Sequence, residues 1–247
     1  MNVGLFGGTF DPIHRGHIAL ARAAAKRFGL KQVLFVPSSV PPHRLGRPLS
    51  PYHHRFAMVT LATANHKDFV PSSLEAPPEP GVLAFSSGRR GPGFSYSIDT
   101  VRALKLQLSK GDKLFFLIGV DAFLDIAKWH EAEAILREVD FIVASRPGYS
   151  LADIAGALPD SLRPTEEAIK AFRKAKAKGT IALGNTAIHL LADVRVPMSA
   201  SQVRSAAERG RPLGKFLDPA VAEYIRKTRL YRRASERQEP VRRSRLL

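Results

Sequence analysis

The sequence predicts an α/β protein, and three observations carry that prediction. The apolar run Val3–Phe6 reads as a short buried strand. A glycine turn follows it, and then an alanine-rich segment, Ile18–Phe28, with apolar residues at helical spacing. Further strand-like runs stand at Gln32–Pro37, Lys113–Ile118 and Asp140–Ala144, with helix-length segments between them. Finally, 247 residues of 45% hydrophobic and 24% charged content can bury one substantial core.

The first strand runs into Gly7-Gly8-Thr9-Phe10-Asp11-Pro12-Ile13-His14-Arg15-Gly16-His17, the stretch around which the chain is organised. Strand, glycine-rich turn and helix start in that order hold phosphates, because free backbone N–H groups and the positive end of the helix dipole converge there. His14 and His17 are three apart, so a helix beginning near Arg15 places both imidazoles on one face of its first turn. Gly16 between them leaves room for a ligand to approach the backbone. Together they can donate hydrogen bonds to phosphoryl oxygens, including charge that grows during transfer. The stretch is neither the G-x-G-x-x-G dinucleotide fingerprint nor a P-loop, since no Gly-Lys-Ser/Thr follows.

After the second strand, the loop Ser38–Arg44 sets Pro41 and Pro42 ahead of His43 and Arg44, a stiff presenter of donors where open α/β sheets bind ligands, or else an ordinary surface loop. Tyr52–Ala64 reads as a helix with Phe56, Val59, Leu61 and Ala62 on its apolar face, and Asp68–Glu75 as a short strand. Residues 76–94, rich in glycine and proline, read as an exposed insertion with a hairpin arm at Val82–Phe85. Ser95-Tyr96-Ser97-Ile98-Asp99-Thr100 opens a helix to about Ser109, where Ser or Asp would cap exposed N–H groups.

Gly119-Val120-Asp121 ends the strand at 113–118, and Trp129-His130 follows. This lone tryptophan is either core or placed to stack a planar ring. Ser145-Arg146-Pro147-Gly148 closes the next strand with a cation. Thr165–Lys178 reads as a basic, solvated helix, and Thr180–Leu183 and Ala187–Leu191 as strands. Ser199 and Gln202 have the spacing of a capping box; the alternative is a second phosphate-binding helix start, with Arg204 adding a forked cation. Pro219–Lys227 is the last helix.

Composition narrows the function classes. Zero cysteines exclude disulfides and thiolate chemistry, and no apolar run is long enough to span a membrane. With no signal core at the amino terminus, a cytoplasmic protein is expected. The net charge of +16 suits either polyanionic small molecules or nucleic acid. Six arginines against two glutamates from Arg232 onward place +4 in a solvated tail, 232–247, and +12 in the body. No nucleic-acid module or basic stripe interleaved with aromatics stands out, so no nucleic acid is expected as partner. Nothing in the sequence sets an oligomeric state.

G-G-T-F-D-P-I-H-R-G-H resembles the signature of adenylyl- and cytidylyltransferases that share an H-x-G-H site. The ordered set P-P-H-R, S-Y-S-I-D-T, G-V-D with Trp129 behind it, S-R-P-G, S-A-S-Q-V-R and Y-I-R-K-x-x-L-Y narrows the resemblance to the bacterial nicotinate-nucleotide adenylyltransferases. It spans about residues 2–231, with Ser97 and Ser201 standing where that family often has threonine. The resemblance implies one Rossmann-like domain over 1–231: a doubly wound, mostly parallel sheet with helices on both faces, carrying an insertion near 76–94. It implies transfer of AMP from ATP to nicotinate mononucleotide, with Mg²⁺ carried by ATP and no dedicated metal site. It assigns catalysis to His14, His17 and Arg204, and ATP binding also to Gly7, Gly8, Thr9, Phe10, Gly119, Asp121, Ser199 and Ser201. It gives the nicotinate side to His43, Arg44, Tyr96, Ser97, Thr100, Trp129, His130 and Arg146.

Overall fold

A computed structural model of the chain describes residues 1–41, 48–77, 95–145, 148–174, 179–192, 194 and 198–232. The strands are β1 (Asn2–Gly8), β2 (Leu30–Pro37), β3 (Phe69–Pro71), β4 (Lys113–Gly119), β5 (Asp140–Ala144), β6 (Gly179–Leu183) and β7 (Thr186–Leu191). They form one sheet in the order β3-β2-β1-β4-β5-β7-β6. All neighbours pair parallel except β6 and β7, an antiparallel hairpin at one edge.

Four helices come before β5: α1 (Arg15–Phe28), α2 (Tyr52–Thr63), α3 (Ser97–Lys105) and the single turn α4 (Val120–Phe123). α5 (Ala132–Glu138) leads into β5, and α6 (Leu151–Gly156) and α7 (Glu166–Lys174) follow it. α8 (Ala200–Glu208) and α9 (Pro219–Thr228) come after the hairpin.

Alternation along the strands builds two cores. Leu114, Phe116 and Ile118 of β4 enter one cluster with Ile98, Val101, Ile135, Ile154 and Ile169 of α3, α5, α6 and α7. Phe115 and Leu117 enter the other, with Leu20, Met58, Val203 and Val221 of α1, α2, α8 and α9. Because both faces are covered, the strands read as continuous apolar runs rather than alternating ones. β1 lies between β2 and β4, and the chain leaves for opposite halves of the sheet at that point. The carboxyl ends of β1 and β4 therefore open the crevice in which such sheets hold ligands. Among the described residues no helix is long and apolar enough to cross a membrane.

Several elements differ from the sequence reading. α3 starts at Ser97, with Tyr96 as its cap residue and no side-chain cap. Ser95 Oγ instead accepts the N–H groups of Ser39 and Val40 at 3.1 and 3.2 Å, tying the start of α3 to the loop after β2. Only Phe69–Pro71 of the segment 68–75 pairs as strand; Pro71 has no N–H to extend a ladder. The buried face of α2 is Arg55, Met58, Val59, Ala62 and Thr63, while Phe56 and Leu61 are half-buried. α5 and α6 went unread, being too short to show a helical period. His43, Arg44, the insertion from residue 78 to 94 with its hairpin arm, Arg146, the stretch 175–178 and the tail from 233 lie outside the described residues.

Candidate active site

The turn after β1 is held by aromatic packing from inside. Phe10 lies at φ 45, a left-handed conformation that costs a bulky residue about 1–3 kcal/mol. Its ring is 2% exposed, set edge-on to Phe6 at 5.5 Å. A Cβ on Gly8 would lie 3.3 Å from that ring, so the glycine and Phe10 are fitted to each other. With its ring turned into the core, Phe10 has its backbone left to meet a phosphate.

His14 precedes α1 as its cap residue, with extended backbone. Its N–H donates to His17 Nδ1 at 3.1 Å. Accepting at Nδ1 leaves the ring proton of a neutral His17 on Nε2, so the bond fixes the tautomer and leaves Nε2–H as a donor. The His17 ring is stacked on His14 with centroids 3.8 Å apart and edge-on to Phe10 at 5.1 Å. Burial first, then the neighbouring His14, pushes the His17 imidazole well below its usual range. His17 is therefore a neutral, oriented hydrogen-bond donor rather than a cation. Gly16 has a different role from the one spacing suggested. A Cβ there would sit 2.8 Å from His14 Nδ1, so the space is filled by the His14 ring rather than left for a ligand.

A second helix start lies against the first. The missing Cβ of Gly16 would also lie 3.3 Å from Cγ of Met198, just before α8. Ser199 caps α8: its Oγ accepts Gln202 N–H at 3.3 Å while Gln202 Oε1 accepts Ser199 N–H at 2.9 Å. Ser199 Oγ is 2.9 Å from Ser201 Oγ. Arg204, one turn on, donates through Nη1 to the carbonyl of Asp11 at 2.7 Å. Two helix amino termini, two hydroxyls, two imidazoles and a guanidinium thus converge at one end of the sheet, an arrangement suited to several phosphates.

Buried polar groups underpin this end. Arg55 is 1% exposed, and it donates to the carbonyls of Thr9 at 2.8 Å, Ser38 at 2.7 Å, Ser39 at 3.3 Å and Ser50 at 2.8 Å. One guanidinium therefore ties the loops after β1 and β2 to the start of α2. Burial pushes its pKa down, and Asp11 is the largest of the charges that offset this. Sequence reasoning missed Arg55, although its phase with Met58, Val59 and Ala62 was visible. Asp11 is 4% exposed and accepts the Tyr231 hydroxyl at 2.7 Å and Ser50 N–H at 3.3 Å.

Gly119 ends β4 and caps α4, in which Asp121 is exposed. Trp129 is half-buried, edge-on to Phe116 at 6.0 Å. His130 stacks on Tyr96 at 4.1 Å, which joins the start of α3 to the segment before α5. Ser97 is half-buried at the first position of α3. Thr100 does not join them. It is 2% exposed and its hydroxyl donates to buried Glu75, a tie within the fold rather than a face toward substrate. Among the described residues no three His, Asp or Glu side chains gather as a metal-ligand set.

Residues 5–206 match the cytidylyltransferase-like family. A relative from Geobacter sulfurreducens, named probable nicotinate-nucleotide adenylyltransferase, is 37% identical across 94% of this chain and 98% of its own. One of the same name from Moorella thermoacetica is 35% identical across 93% and 91%. In fold, the chain is similar to Plasmodium falciparum nicotinic acid mononucleotide adenylyltransferase complexed with NaAD. The TM-score is 0.62, at 20% identity over 93% of this chain and 97% of that one. The family match covers the H-x-G-H turn and the α8 start alike, and the curated relatives run nearly end to end with this sequence. The chain belongs to the cytidylyltransferase-like family and, within it, to the nicotinate-nucleotide adenylyltransferases.

Proposed function

We propose that this chain transfers the adenylyl group of ATP to nicotinate mononucleotide, forming nicotinate adenine dinucleotide and releasing pyrophosphate. A phosphate oxygen of the mononucleotide attacks the α-phosphorus of ATP while the bond to the pyrophosphate oxygen breaks, with no covalent enzyme intermediate. The observation that carries this reading is the neutral, tautomer-fixed His17 beside two helix amino termini. Catalysis of phosphoryl transfer is mainly positioning and electrostatic stabilisation, which is what such an array supplies.

In this reading His17 Nε2–H and the backbone of Gly7, Gly8, Thr9 and Phe10 meet oxygens of the transferring phosphate. His14 adds a further contact there. Ser199, Ser201 and Arg204 at the start of α8 take the β- and γ-phosphates, where negative charge grows as pyrophosphate departs. The forked guanidinium of Arg204 exchanges its present carbonyl for phosphate oxygens. Gly119 and Asp121 take the adenosine. Trp129, Ser97 and the Tyr96–His130 stack form the wall for the nicotinate ring, and His43, Arg44 and Arg146 are assigned to the same substrate. Mg²⁺ belongs to the reaction as part of the ATP substrate, coordinated by phosphate oxygens. Residues 1–231 are the catalytic unit, working in the cytoplasm.

The test is pyrophosphate release with ATP and each of four acceptors: nicotinate mononucleotide, nicotinamide mononucleotide, phosphopantetheine and a single-stranded oligonucleotide. The expected result is turnover with the first, at least tenfold more efficient than with the second. A hydrogen bond to a charged group contributes about 1.5–3 kcal/mol, and about 1.4 kcal/mol is tenfold. Equal efficiency with the two mononucleotides would make the enzyme dual in specificity. Salt-sensitive oligonucleotide binding without turnover would overturn the assignment.

A further inference from the structure

The mechanism does not use the partly buried Tyr231–Asp11 bond, which joins the segment after α9 to the histidine turn across 220 positions. We propose that Tyr231 is a positioning residue for the reaction: by holding the Asp11 carboxylate it sets the placement of His14 and His17. The inference rests on the adenylyl-transfer reading above.

Three features support it. Asp11 stands three residues before His14, within the turn itself, so whatever fixes its carboxylate fixes the entry into α1. Its partners arrive from three separate places: Ser50 ahead of α2, Arg204 in α8 and Tyr231 beyond α9. Before substrate binds, the Asp11 carbonyl also holds Arg204, so this one residue touches both the histidine turn and the guanidinium of α8.

The backbone after α9 is shaped for the contact. Arg229 and Tyr231 lie at φ 52 and φ 66, left-handed conformations that non-glycine residues keep only where the surroundings hold them. α9 is anchored in turn by buried Val221 and Ile225 and by Tyr224 Oη, 2.8 Å from His54 Nδ1 on α2. The Tyr231 phenol is pushed upward by burial, then by Asp11, and stays a protonated donor throughout the working pH range. A staple that served folding alone would have no need to end inside the catalytic turn.

The test compares Tyr231→Phe, which keeps the ring and removes the hydroxyl, with Asp11→Asn and with the double variant. Each is measured by steady-state kinetics, urea unfolding and the titration of the His17 ring C–H proton by NMR. Small misplacement of reacting groups costs up to about a hundredfold. Tyr231→Phe is therefore expected to lower kcat about tenfold or more, with KM for nicotinate mononucleotide within about twofold. The His17 midpoint should move up toward ordinary imidazole as the turn loosens. The double variant should lose no more than the worse single one, because Tyr231→Phe deletes and Asp11→Asn weakens the same contact. A chain ending at Tyr231 should keep its kcat, and one ending at Leu230 should behave as Tyr231→Phe.

An unchanged kcat or an unmoved His17 midpoint in Tyr231→Phe overturns the proposal. So does loss of urea stability alone, or losses that multiply in the double variant. If wild-type protein turns over none of the acceptors, the functional reading falls, and the latch is judged by the His17 midpoint in Tyr231→Phe and Asp11→Asn, moved or unmoved.

Discussion

Replacing Gly16 by alanine should separate activity from stability. Gly16 is the second residue of α1 and its backbone is not left-handed, so alanine suits its conformation and improves helix propensity by up to about 1 kcal/mol. The added methyl has no room: it would lie 2.8 Å from His14 Nδ1, 2.9 Å from His14 Cε1 and 3.3 Å from Met198 Cγ. Comfortable carbon contacts begin near 3.5 Å, so the ring must retreat by about 0.7 Å. It cannot retreat into His17, already stacked at a centroid spacing of 3.8 Å, and it is only 9% exposed. Overpacking of this kind costs about 1–3 kcal/mol, which the propensity gain partly offsets. The net loss of stability should be at most about 2 kcal/mol, read from urea midpoints, while kcat falls tenfold to a hundredfold because both imidazoles move. An alanine variant with kcat within twofold of wild type would refute the claim that the His14–His17 stack is held in a geometry the reaction needs.

Three further outcomes follow from the same geometry. His17→Ala should fold and bind ATP measurably yet lose about 10²–10³ in kcat, the usual effect of removing one donor aimed at developing charge; near-normal kcat would remove the centre of the mechanism. With the His17 pKa depressed by folding, the unfolded chain binds the extra proton first. Its contribution to stability is thus fully present above about pH 6.5 and declines as pH falls toward the lower folded value. Urea titrations from pH 8 to 5 should show this slope in wild type and a shallower one in His17→Gln; parallel slopes would contradict the neutral, buried donor. Arg55→Met should destabilise by about 3–5 kcal/mol by leaving four partly buried carbonyls of the loops after β1 and β2 without their donor. Arg55→Lys should rescue little, because an ammonium cannot span the four oxygens, and a wild-type urea midpoint for the lysine variant would count against that fork.

Much of the fold was legible because its signals are local. Central strands buried on both faces show as unbroken apolar runs, and the Ser199–Gln202 box announces the start of α8. The same kind of box, Ser150 with Asp153, marks α6, but six residues carry too little periodicity to be noticed beside it. What the site owes to distant pairing was hidden. Arg55 shares the apolar phase of α2, but a sequence cannot say which carbonyls will surround a guanidinium. Spacing placed His14 and His17 on one side of a turn, and could not foresee that one imidazole would fill the space above Gly16 while the other accepts a backbone proton. Thr100 looked like a site hydroxyl by its place in S-Y-S-I-D-T, and only the burial of Glu75 beside it shows where the hydroxyl goes.

The ties between the histidine turn and the later chain also bear on synthesis. Arg15 N–H donates to the carbonyl of Phe216 and its Nε to that of Leu217, while Asp11 waits for Arg204 and Tyr231. A ribosome adding 5–20 residues per second makes residue 231 roughly 10–45 s after residue 11. For about the first half of that interval β1 also lacks β4 on one side, and the motif made first meets these partners only as residues 204–231 are added. Nascent chains should therefore carry an unassembled nucleotide site, and a product of premature termination before α8 should leave cellular ATP untouched.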